Sequence, residues 1–245
     1  MSLFLIGCGI VVATVCGGLV ALRFKDKLHL VLGFAAGAVL GVAFFELIPE
    51  SIHIATEAGA DLHVVSTCIA LGFLFYLLVD RVLSLSHHHE EVCENPHHKK
   101  SWLRAGSFSL HSLVDGLAIG FSFQADPTLG FVVAIGVLVH DFSDGLNVVS
   151  SVLRFGGSKL RAIVWLLADC IAPLLGIALS FVVPLGEHSL GYMLALFAGF
   201  FLYLGAADLL PESHHAHPTR MTTIMTFVGA GLMYVAILLA HGAGH

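Results

Sequence analysis

The sequence predicts an all-α integral membrane protein of eight transmembrane helices, on three observations. First, 57% of its 245 residues are hydrophobic and only 11% are charged, with a mean hydropathy of +0.92, far too apolar for a soluble domain of that length. Second, the apolar residues gather into runs near the ~20 residues that a helix needs to cross a bilayer. Third, all eleven Lys and Arg residues fall on one side of the resulting topology. The expectation is a single transmembrane domain over residues 1–245, with almost nothing left over for a soluble one.

The first run, 2 to 22, lacks a basic start and a convincing cleavage site, so it reads as a span rather than a removed signal. The second, 28 to 48, carries Gly33, Gly37 and Gly41 as a small-residue stripe suited to close helix packing. The third covers 62 to 86. After it come His87, His88, His89, Glu90, Glu91, Cys93, His97 and His98, in a connection of about 87–101 whose composition forbids a packed core and favours metal capture. The fourth and fifth, 102 to 123 and 128 to 152, hold the polar residues treated below. In the sixth, 160 to 184, Pro173 removes a backbone donor and is expected to break the helix and expose carbonyls to a cavity. The seventh, 189 to 210, is followed by His214, His215 and His217, and the eighth covers 220 to 241. Cys8, Cys16, Cys68 and Cys170 fall inside spans and are expected to be small buried packing residues; no disulfide framework is indicated.

Orientation follows from charge. Arg23, Lys25 and Lys27 follow the first span; Arg81, Lys99, Lys100 and Arg104 flank the third connection; Arg154, Lys159 and Arg161 the fifth; Arg220 the seventh. The opposite loops carry Glu50, Glu57, Asp61, Asp126 and Glu187. Basic loops stay in the cytoplasm, so both termini are expected outside. The formal charge of −6 is distributed with acids on the face a cation would approach. Divalent ions and the lipid bilayer are the expected partners, and no nucleic acid is.

Two motifs carry chemistry. His111, Asp115 and Gly116 in the fourth span are echoed by His140, Asp144 and Gly145 in the fifth. Four residues is about one helical turn, so each His stands over its Asp on one face. Ionisable groups at bilayer depth cost about 2.5 to 3.5 kcal/mol each on insertion scales and normally face a partner or a wet cavity. Imidazole nitrogen with carboxylate oxygen suits a divalent transition metal. Asp141 is a further candidate for the same cavity or a second ion position, Ser112 holds the matching place on the fourth span, and Asn147 lies two turns below His140. Asp169, one turn before Pro173, is a candidate ligand or proton carrier.

The second motif is longer in range. Phe45-Glu46-Leu47-Ile48-Pro49-Glu50-Ser51 in the second span matches Ala207-Asp208-Leu209-Leu210-Pro211-Glu212-Ser213 in the seventh. Those spans run in opposite directions, as halves of an inverted repeat do, with spans one to three pairing with six to eight around four and five. Glu46 and Asp208 are then candidates for the entrance and exit. Gly116 and Gly145 are expected to let spans four and five approach closely.

These residues resemble the ZIP family of divalent metal transporters over essentially the whole chain. The marks are HSLVDGLAIG and HDFSDGLN, FLYLGAADLLPE, AFFELIPE and the His-rich third loop. The resemblance implies eight helices with outside termini, uptake of zinc or a related ion into the cytoplasm, and frequently a homodimer. It also implies a binuclear metal centre, carried here by His111, Ser112 and Asp115 with His140, Asp141 and Asp144. Where the family commonly has His-Glu-x-Pro, this chain has Asp141 and Ser143; where relatives carry an acid directly before the proline of the sixth helix, it has Ala172.

The expected function is movement of zinc, or of iron, manganese or cadmium, by alternating access through the His/Asp site, with no enzymatic turnover. The short loops favour a bacterial cytoplasmic membrane. Two rivals stand beside it. A cation-diffusion exporter also uses His-x-x-x-Asp pairs but commonly has six spans and a soluble domain. An intramembrane zinc hydrolase would use His140, Asp141 and Asp144 to activate water, yet the chain has no His-Glu-x-x-His and no obvious nucleophile.

Overall fold

The structure, a computed structural model, describes residues 2–23, 28–85, 96–154, 157–183, 186–215 and 220–242. Its helices are α1 (Ser2–Arg23), α2 (Leu28–Val42), α3 (Ile48–Glu57), α4 (Leu62–Leu85), α5 (Pro96–Ala125), α6 (Pro127–Arg154), α7 (Lys159–Ser180), α8 (Glu187–Tyr203), α9 (Leu210–His215) and α10 (Arg220–Gly242). A π-helical segment, Ala43–Leu47, joins α2 to α3, and another, Leu204–Leu209, joins α8 to α9. Eight rods result. Seven are long and apolar enough to cross a membrane; α5 is also long but more polar, since it carries Ser107, Ser109, His111, Ser112 and Asp115.

Local sequence explains the ends. Asp126 caps α6 by accepting from the backbone N–H of Thr128 (2.7 Å) and Leu129 (3.1 Å), with Pro127 at the first helical position, where no donor is missed. Ser158 caps α7 by accepting from Arg161 N–H at 3.3 Å. Between α3 and α4 the chain reverses at Gly59, whose φ of +81° only glycine adopts freely.

The core gathers Val39, Val42 and Leu47, Ile119 of α5, Val133 of α6 and Phe197 and Phe201 of α8. Helix α6 is the most enclosed, whereas α4 and α10 turn most of their surface outward, through Leu71, Leu74 and Leu78 on one and Phe227, Leu238 and Leu239 on the other. Apolar side chains facing lipid cost nothing, so these helices need not bury them.

Glycine sets the closest crossings. A Cβ on Gly17 would meet the Phe142 carbonyl and one on Gly145 the Thr14 carbonyl, so α1 and α6 touch backbone to backbone. Gly176 against Leu113 and Gly116 against Pro173 do the same for α7 and α5. Gly37 with Gly229 serve α2 and α10, and Gly72 with Gly199 serve α4 and α8.

Several expectations are corrected here. The second span does not stop near residue 48 but passes through the π segment to Glu57; the seventh is apolar over Ser189–Leu209, as expected, and its helix continues to His215. Helix α7 is continuous through Pro173 rather than broken, and α5 packs directly against its backbone there at Gly116. Gly116 and Gly145 admit α7 and α1 respectively, not each other's helix; each glycine lies about 100° round from its inward-facing acid. Of the cysteines within spans only Cys170 is buried; Cys68 is half-buried, and Cys8 and Cys16 are exposed because α1 turns Thr14, Gly17 and Gly18 inward instead.

Candidate metal centre

The long α5 and the enclosed α6 pack together, and their two His/Asp pairs meet at the contact. His111, Asp115, His140 and Asp144 each offer one ligand atom, and these atoms all lie within 4.8 Å of one another. Asp115 Oδ2 is the hub, 3.1 Å from His111 Nε2 on its own helix and 3.3 Å from His140 Nε2 on the other. Asp144 Oδ2 lies 3.6 Å from His111 Nε2 and 3.9 Å from His140 Nε2. Cross-helix distances match those within a helix, so the four groups form one cluster rather than two pairs. All four are at most 2% exposed.

The hydrogen bonds decide which way the lone pairs point. His140 Nδ1 is 2.9 Å from the Gly136 carbonyl, which can only accept, so Nδ1 carries the proton. In the neutral ring Nε2 then directs its lone pair at two carboxylates, an arrangement that needs a cation or shared protons between the groups. Fixing one ring nitrogen by a backbone carbonyl is how histidine ligands are oriented for a metal. Asp115 Oδ1 and His111 Nδ1 have no hydrogen-bond partner, although His111 is steadied by stacking on Phe200 (centroids 5.3 Å apart, planes at 18°). The cluster is therefore capable of coordinating a divalent ion.

A polar fringe surrounds it. Ser112 Oγ donates to Asp169 Oδ1 at 3.0 Å, tying α5 to α7. Asp141 is buried, and its Oδ2, like Oδ2 of Asp169, lacks a hydrogen-bond partner. Neither joins the four-residue group among the described residues. Asn147 is buried on α6. Glu46 and Asp208 fall in the two π segments; Glu46 is buried with its Oε1 3.7 Å from His241 Nε2 on α10, while Asp208 is half-buried. His87, His88, His89, Cys93 and His217 lie outside the described residues, as do the side chains of His97, His98, His214 and His215.

Sequence reasoning missed an aromatic wall. Tyr76 of α4 and Phe200 of α8 lie against His111, and Phe201 stands edge-on to His140 with centroids 6.0 Å apart. Tyr203 donates from its hydroxyl to Asp80 Oδ2 at 2.9 Å. The available signal was a pair of similar runs, Gly72-Phe73-Leu74-Phe75-Tyr76 and Gly199-Phe200-Phe201-Leu202-Tyr203. The Glu46–His241 pair was also missed, for want of any reason to bring the end of the last helix to the second.

Fold and site together define a polytopic membrane protein that buries, among its helices, a His/Asp cluster capable of coordinating a divalent ion. A family model described as "ZIP Zinc transporter" matches residues 1–106 and 97–237, and the chain belongs to the ZIP family of zinc/iron transporters. That membership, in a family of transporters rather than enzymes, sets the hydrolase reading aside. Among its relatives, the zinc transporter ZupT of Shigella dysenteriae is 26% identical over 222 residues, covering 87% of this chain and 85% of its own length. The zinc transporter zipt-7.1 of Caenorhabditis briggsae is 24% identical over 280 residues, covering 86% and 71%. The zinc transporter ZIP4 of Mus musculus is 27% identical over 125 residues, which is 51% of this chain but only 19% of that protein. The chain thus matches only about a fifth of the length of ZIP4.

Proposed function

We propose that the chain carries a divalent transition-metal cation, zinc first, across the membrane into the cytoplasm by alternating access, with His111, Asp115, His140 and Asp144 as its ligands. The observation that carries this is the convergence of two imidazoles and two carboxylates from adjacent helices in a buried cluster, with His140 Nδ1 tied to the Gly136 carbonyl so that Nε2 faces the carboxylates. Relatives that cover most of both chains are named zinc transporters, which favours zinc; mixed His/Asp sites also accept iron, manganese and cadmium.

Ser112, Asp141 and Asp169 supply a second ion position in this reading, supported by two buried carboxylate oxygens without partners and by the Ser112–Asp169 bond. Asn147 lines the path, Glu46 and Asp208 serve its two ends, and the loop bearing His87, His88, His89, Cys93, His97 and His98 captures metal in the cytoplasm. Termini outside, as the basic residues imply, make this direction uptake. A bacterial cytoplasmic membrane and a homodimer complete the proposal.

The inverted repeat draws support from the glycines. Gly17 and Thr14 lie 159 residues before Gly176 and Pro173, and each pair makes the corresponding contact with α6 or α5. Gly37 likewise lies 162 residues before Gly199, the same offset as Pro49 from Pro211. Alternating access follows if one repeat rocks against the other around the buried site.

The test is time-resolved appearance of zinc, cadmium, iron and manganese in proteoliposomes holding a trapped metal dye. Saturable uptake by the native chain, lost in His140→Ala and Asp144→Ala, is expected. Tight binding with no uptake of any ion by correctly inserted protein would contradict the reading. Because imidazole and carboxylate bind metal only when deprotonated, acid must weaken binding. Between pH 7 and 5.5 affinity should fall about tenfold per pH unit for each proton displaced, read by equilibrium dialysis; flat affinity over that range would contradict proton displacement from the ligands.

A further inference from the structure

We propose that Tyr203 and Asp80 are the latch of an aromatic gate that closes the metal site on the side where α4 ends. The proposal rests on the transport reading above, since a gate matters only if an ion leaves past it.

A continuous chain of contacts runs from the cluster to that latch. Phe200 stacks on His111. Tyr76 packs edge-on against Phe200, with centroids 4.4 Å apart, and against Tyr203 at 5.1 Å. Tyr203, itself buried, donates its hydroxyl to Asp80, a half-buried carboxylate near the end of α4. An ion leaving in this direction must pass rings that rest directly on its ligand, so the rings have to part.

Parting them means moving α4 relative to α8, and the structure places the latch where that motion is decided. The two helices touch backbone to backbone at Gly72 and Gly199. One turn later stand Tyr76 and Tyr203, and one turn beyond Tyr76 stands Asp80. On α8 the regular helix ends at Tyr203, and the next residue begins the π segment Leu204–Leu209. π turns interrupt the ordinary hydrogen-bond ladder and recur at functional sites. The hydroxyl therefore pins α8 to α4 at the boundary between regular helix and π segment. Closure depends on a charge-assisted hydrogen bond, which is directional and among the stronger kinds. Side-chain packing alone would hold the tyrosine ring without needing its hydroxyl to find a carboxylate. Arg81, adjacent to Asp80, marks this end as the cytoplasmic one by the distribution of basic residues, so the latch guards release.

Removing the bond should shift the population toward the open gate without altering any ligand. The purified full-length chain is loaded with zinc and mixed with excess chromophoric chelator in a stopped-flow instrument. Tyr203→Phe, which deletes only the hydroxyl, and Asp80→Ala should each speed zinc release by about three- to tenfold, with zinc stoichiometry unchanged. The double variant should be no faster than either single one, since both remove the same bond. Asp80→Asn, which keeps an acceptor, should lie closer to native, and Tyr203→Phe carries the test alone if Asp80→Ala folds poorly. Native release rates in Tyr203→Phe, or effects that simply add, would overturn the latch, as would a lowered melting temperature with unchanged release. A native chain that binds and releases zinc yet takes none into proteoliposomes would sink the transport reading and leave the gate nothing to guard.

Discussion

Asp115→Ala is expected to reduce zinc uptake at least 100-fold while the protein remains folded and membrane-inserted. Asp115 Oδ2 is the carboxylate oxygen nearest to both imidazoles, 3.1 Å from His111 Nε2 and 3.3 Å from His140 Nε2. Losing it removes the nearer of the two carboxylate oxygens that both histidines face and leaves the more distant Asp144. Losing even an outer-shell partner of a metal ligand commonly costs 10–100-fold in affinity or activity, so losing a shared ligand should exceed about 100-fold. The fold should survive, because Asp144 remains 3.6 and 3.9 Å from the two imidazoles and leaves neither without a carboxylate. Uptake rate and folded yield, measured on the same preparation, separate the two effects; equal loss of both would assign Asp115 a structural role.

Gly116→Val should instead destroy the folded state. A Cβ at this position would collide with the backbone of Pro173, which cannot swing away as a flexible side chain would. Helix α5 would have to retreat from α7, breaking the Ser112–Asp169 hydrogen bond at 3.0 Å as it went. Overpacking of this kind costs about 3 kcal/mol or more, a large part of a marginal stability. Gly145→Val should behave alike against Thr14, whereas Gly231→Val, with nothing within 4 Å of its added carbon, should be silent. Monodisperse protein recovered after detergent extraction is the readout. Normal recovery of Gly116→Val would show that the crossing is looser than described.

What the sequence reveals about the cluster is what helical periodicity can carry. A spacing of four puts His111 over Asp115 and His140 over Asp144 whatever surrounds them, and two such pairs in adjacent apolar spans have few ways to be satisfied except by meeting. The positions of the eight rods follow from run length for the same reason. Periodicity does not say which neighbour a face meets. Gly116 was therefore given the wrong partner helix, and Cys8 and Cys16 were expected inside although Thr14 and Gly17 take the inward face of α1. Nor does it register a π insertion, which adds one residue to a turn without altering composition; Glu46 and Asp208 stood out for their prolines, not for the turns that hold them. Pro173 would interrupt an isolated helix, whereas here α5 packs against its backbone through Gly116 and the helix continues. The aromatic wall was hidden by its ordinariness, since phenylalanine and tyrosine in a span are expected simply to face lipid.

Most of the account turns on where the ion sits. Zinc K-edge X-ray absorption on the zinc-loaded chain addresses that directly. A shell of nitrogen and oxygen at about 2.0–2.2 Å with imidazole scattering and no sulfur, lost in the Asp115→Ala variant, is the predicted result. Sulfur at about 2.3 Å, or a shell unchanged by Asp115→Ala, would place the ion elsewhere and contradict the assignment of the His/Asp cluster as the transport site.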